Sequence, residues 1–104
     1  MTGPSLPHEV LPTARWDLLP EYMWDGLARY IDRGIRPGSF LTAVLSNDLH
    51  GAAARADNTN RAALADYMTF LVSYAPGGCF GSPRQVEDWC KYGGLRGLTE
   101  GQAA

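Results

Sequence analysis

The chain has 104 residues, 45% of them hydrophobic and 19% charged, with nine Lys+Arg against eleven Asp+Glu and a formal net charge of −2. This is the composition of one small folded domain, able to bury roughly 60–68% of the surface its unfolded chain exposes, and not that of a disordered segment. The cations are arginines except for Lys91 and form no run or stripe, so the footprint of nonspecific nucleic-acid binding is missing, and the charge is too small for an acidic DNA mimic.

Residues 1–16 carry Pro4, Pro7 and Pro12 with little periodicity and read as an extended, Pro-rich leader. They lack the basic and apolar regions of a signal peptide, and no apolar run reaches the ~20 residues a bilayer span needs. The chain therefore reads as cytoplasmic, with Cys79 and Cys90 as free thiols in a reducing compartment.

A helical domain is expected over residues 17–93. Pro20 suits a first helical turn, and Met23, Leu27, Tyr30 and Ile31 follow at the spacing of one buried face. Glu21, Asp25, Arg29 and Arg33 take the opposite face, with Asp25 and Arg29 placed as an i,i+4 pair, and Gly34 supplies the stop. A second helix starts at Pro37 or Ser39 and buries Phe40, Leu41, Val44 and Leu45. Asn47 and Asp48 break it, since both cap better than they propagate. A short third helix covers residues 49–56. Asp57 or Asn58 then caps a long fourth helix reaching Ala75, ended by Pro76-Gly77-Gly78. Ser82-Pro83-Arg84-Gln85 is a capping box that opens a fifth, which buries Val86, Trp89 and Cys90 and stops at Gly93-Gly94. No segment shows the alternation of a half-buried strand. The fold class is all-α, a single compact domain of four to five short helices, with residues 94–104 as a flexible tail.

Chemistry-bearing patterns are scarce. His8, His50, Cys79 and Cys90 follow no metal-ligand spacing, so neither a metal nor another cofactor is expected. Asp57-Asn58-Thr59-Asn60 lacks the glycine and terminal glutamate of a calcium loop and reads as a cap. Cys79 sits in the loop Gly77-Gly78-Cys79-Phe80-Gly81 just before a helix start, where a thiol could be activated, against the plainer reading of a packed loop cysteine. No Gly-x-Ser-x-Gly elbow or P-loop is present. The chain therefore reads as a non-enzyme. The aromatic residues exceed what a core of this size requires. Trp24 lies beside the Met23-Leu27-Ile31 stripe, and it is either covered by the leader or the fifth helix, or exposed as an interface residue. With Arg29, Arg33 and Arg36 it would form a patch of the side chains that dominate binding hot spots.

Arg-Tyr-Ile-Asp-Arg-Gly-Ile-Arg-Pro-Gly-Ser-Phe-Leu-Thr-Ala-Val-Leu-Ser-Asn-Asp-Leu, residues 29–49, resembles a group of small, uncharacterised proteins of phage and prophage genomes. Ala56-Asp57-x-x-Asn60, Tyr74-Ala75-Pro76, and Gly81-Ser82-Pro83 with Trp89 are similar too. The likeness covers about residues 20–92 and transfers no catalytic residue. It implies an accessory product of a mobile element, of the kind that binds a host protein or complex and inhibits host defence, as anti-CRISPR proteins do. Two alternatives stand beside it. One is a small regulator that contacts DNA through one of its Arg-bearing helices; the pair 40–47 and 49–56 could be mistaken for a helix-turn-helix, but its second member carries only His50 and Arg55 as base-reading candidates. The other is a small-ligand binder or minor enzyme using Cys79 or His50.

Overall fold

The structure, a computed structural model, describes residues 4–103, with side chains over residues 4–98. Among the described residues every regular element is helical, and there are eight α-helices instead of four to five: α1 (Pro7–Val10), α2 (Trp24–Arg33), α3 (Ser39–Leu45), α4 (Leu49–Arg55), α5 (Asn58–Ala62), α6 (Leu64–Tyr74), α7 (Pro83–Tyr92) and α8 (Gly94–Ala103). Short 3₁₀ turns occupy Trp16–Leu18, Glu21–Met23 and Gly77–Cys79.

Local signals place the central helices where expected. α2 follows the Glu21–Met23 turn directly and buries Leu27, Ala28, Tyr30 and Ile31, with Met23 half-buried, and Gly34 closes it in the left-handed conformation at φ 70°. Asp48 caps α4 by accepting from the Gly51 N–H at 2.9 Å. Asp57 caps α5 by accepting from the Asn60 N–H at 2.7 Å. Ser82 caps α7 by accepting from the Gln85 N–H at 3.2 Å, with Pro83 at the first helical position.

Three expectations need correction, and each fails where a tertiary contact decides. The leader is not extended: Pro7 starts α1, where a missing N–H costs nothing, and Ser5 donates its hydroxyl to the buried carboxylate of Asp32 at 2.7 Å. Trp16, 1% exposed, belongs to the core and packs against Phe70 with ring centres 4.8 Å apart and planes tilted by 54°. The segment expected as a flexible tail forms α8, where Leu95 packs on the core and Arg96 Nε lies 2.8 Å from the same Asp32 carboxylate. Residues 1–3 and 104 of these two segments lie outside the described residues. The long fourth helix is two, broken at Ala63 with φ −97° and ψ 6°. Alanine is no breaker; the break goes with burial of Asn60, whose side chain accepts from the Tyr67 hydroxyl across the interruption at 2.8 Å.

Polar groups inside the core are paired across elements. The Trp89 indole donates to the Tyr30 carbonyl at 2.9 Å, and the Tyr30 hydroxyl donates to the Cys79 carbonyl at 2.6 Å. Together they lock α2, α7 and the 77–79 turn. A radius of gyration of 13.1 Å matches the ~13 Å of a folded chain of about 100 residues.

Backbones approach closely where the ends of α2 and α7 meet the start of α8. A Cβ on Gly34 would lie 2.7 Å from the Trp89 carbonyl oxygen and 2.8 Å from the Gly94 nitrogen, both backbone atoms that cannot step aside. Gly34→Ala combines that clash with a left-handed backbone. It is expected to destabilise the fold by at least about 2 kcal/mol, which urea denaturation followed by circular dichroism will measure.

Candidate binding groove

The side of α2 turned away from α1 forms one wall of an open groove of about 560 Å³. Tyr22, in the turn that leads into α2, is followed along it by Gly26 and Arg29, four and seven residues on. The segment after the helix, carrying Ile35, Arg36 and Pro37, makes the other wall, and the buried Leu41 of α3 lies at the floor. Gly26 opens the notch: a Cβ there would find nothing nearer than an Arg29 guanidinium nitrogen at 3.9 Å.

Tyr22 is 60% exposed yet fixed, because its hydroxyl donates to Asp57 at 2.6 Å. That bond, with the N–H of Asn60 second, holds the Asp57 carboxyl below its ordinary range, and it raises the Tyr22 phenol in turn. Arg29 and Arg36 are exposed and form no ion pair among the described residues. The expected Asp25–Arg29 pair is not made, so both groups remain free for a ligand, and Asp25 is the only carboxylate on the groove lining. A second hollow of about 450 Å³ shares Arg36 and Pro37 with the first and adds Asp48 and Arg55.

Of the four residues expected to form an interface, the structure brings Arg29 and Arg36 together on this groove and separates the other two. Trp24 points the opposite way. The leader covers it, with His8 edge-on at 5.6 Å and Trp16 at 6.2 Å, and its indole N–H donates to the Leu19 carbonyl at 2.9 Å. Arg33 sits 3.9 Å from Asp32, half-buried, with Nε and Nη2 enclosed and without hydrogen-bond partners. Both therefore serve the packing of α2. Tyr22, Gly26 and Ile35 were not assigned to a site. The signal that would have found them is the glycine midway between a tyrosine and an arginine on a polar helix face.

The Cys79 loop does not expose a thiol. Cys79 is 0% exposed, and burial pushes its pKa up to about 12, the reverse of activation. Cys90 is half-buried, and burial raises its thiol too. Both cysteines are free, and His50 lies exposed on α4. Among the described residues no three His, Cys, Asp or Glu side chains gather as metal ligands, and no helix is long and apolar enough to cross a membrane. Compared with known protein families, curated proteins and solved structures, the chain matches none.

Gly26 sits inside a helix with open space beside it, so Gly26→Ala is expected to stabilise the fold by about 0.5–1 kcal/mol, read as an upward shift of the thermal midpoint. For the thiols, a chromogenic disulfide reagent is expected to titrate Cys90 in the folded protein and Cys79 only after denaturation. Rapid labelling of Cys79 in the native state would contradict its burial.

Proposed function

We propose that this chain is a small interaction protein that binds a host protein or complex through the Tyr22–Gly26–Arg29 groove and acts by occupying it, without catalysis. The observation that carries the reading is the meeting, in one open groove, of two guanidinium groups lacking ion-pair partners with an exposed tyrosine and an exposed isoleucine. Tyrosine and arginine are enriched at the energetic centres of protein interfaces. Arg29 and Arg36 both fall within the stretch that resembles small phage proteins. The resemblance supplies the class of partner, a component of host defence met in the host cytoplasm. The DNA-regulator reading is served less well. α4 spans seven residues, buries Gly51 and Ala52, and offers only His50 and Arg55 to a groove.

The test is capture from nuclease-treated host lysate at physiological salt, using immobilised wild type, Arg29→Glu/Arg36→Glu, and Arg84→Glu as a surface-charge control on α7. One protein recovered near stoichiometry by the wild type and the control, and at least about tenfold less by the double variant, is the expected outcome. Equal recovery by the double variant would refute the groove as the interface. A partner captured from a parallel untreated lysate and lost on nuclease treatment would favour the nucleic-acid reading.

A further inference from the structure

Resting on that reading, we infer that the occupant of the groove is an extended acidic segment of the partner, which seats an apolar side chain beside Ile35 and carboxylates on Arg29 and Arg36. Three independent features converge on it. The first is charge. In a chain of net charge −2, this groove carries two cations with no ion-pair partner and the single carboxylate of Asp25. Guanidinium forks take carboxylates in paired hydrogen bonds, so acidic side chains complete what the protein leaves open.

The second is backbone. Residues 34–38 hold no helix or turn, and among the described residues neither the N–H nor the carbonyl of Ile35 or Arg36 makes a hydrogen bond. Two exposed residues with unpaired backbone groups give an extended peptide a place to add main-chain hydrogen bonds. The third is shape. The 560 Å³ groove has an apolar side formed by Met23, Ile35 and Leu41, and Gly26 leaves out the side chain that would otherwise fill it. A peptide that follows the 35–37 backbone continues over Arg36 into the second hollow, where Asp48 already stands beside Arg55, so the acidic side chains are met by Arg29 and Arg36 alone.

The experiment titrates the full chain, labelled with nitrogen-15, with a short capped peptide of alternating glutamate and leucine, and in parallel with its lysine–leucine counterpart. The glutamate peptide is expected to shift the amides of Gly26, Ile35 and Gly38 saturably, with an affinity that weakens as salt is raised. Gly26→Leu and Arg29→Gln/Arg36→Gln are each expected to weaken it at least about tenfold. The lysine peptide is expected to leave those amides in place. Equal shifts from both peptides, no shift from either, or undiminished binding by the variants would overturn the inference. Should Gly26→Leu fail to fold, the arginine variant alone decides. The two levels separate cleanly. An arginine-dependent partner captured from lysate with no response to the glutamate peptide removes the acidic-segment inference and keeps the interface. A peptide response without a captured protein keeps the site and removes the host-protein partner.

Discussion

One buried carboxylate organises the chain. Asp32, near the end of α2, accepts from the Ser5 hydroxyl and from Arg96 Nε, and so draws the beginning and the end of the described chain onto a single helix turn. A charge taken out of water costs several kcal/mol unless it is met by counter-charges and by donors, and here Arg96 lies close, Arg33 farther off at 3.9 Å, and Ser5 donates. The arrangement decides which side of α2 is covered. With Ser5 held at Asp32, α1 lies along the Trp24 side, and His8 closes over the indole. The Tyr22, Gly26 and Arg29 side is left uncovered. The groove is thus a consequence of where the leader is pinned.

The groove's second wall is irregular backbone, and it is held from both ends. Gly34 is wedged between the end of α7 and the start of α8, while Thr42 bonds back to the Pro37 carbonyl through its hydroxyl at 3.2 Å and to the Gly38 carbonyl through its N–H at 3.0 Å. The segment between these anchors has little freedom left to lose when a ligand arrives. Ordering costs of that kind are what most often weaken binding by loops. The aromatic side chains divide accordingly. Trp16, Tyr30, Tyr67, Phe70 and Trp89 are core, with Trp89, Tyr30 and Tyr67 also bridging elements through their polar atoms, and Tyr22 alone is presented at the groove.

Much of this was legible in the sequence wherever the cause is local. Gly34, Asp48, Asp57 and Ser82 each act through bonds within a few residues of their own position, and the helix boundaries they imply are those observed. α1, α8 and the break at Ala63 were not legible, because Ser5, Arg96 and Asn60 owe their places to residues distant along the chain or on the next helix. The same division runs through the site. Helical spacing put Arg29 on a polar face, which holds. Spacing alone could not say that the leader returns over Trp24, or that Arg33 turns in toward Asp32. Periodicity tells which residues share a side of a helix, not what lies against that side.

The shared carboxylate has a dynamic consequence. Ser5 and Arg96 stand far apart in sequence but meet on the same oxygen, Oδ2, so the departure of either strips Asp32 of a partner and weakens the hold on the other. The segments at Ser5 and Arg96 should therefore loosen as one cooperative unit instead of independently. Closing so long a chain segment also carries a loop-closure cost that the contacts at Asp32 must offset.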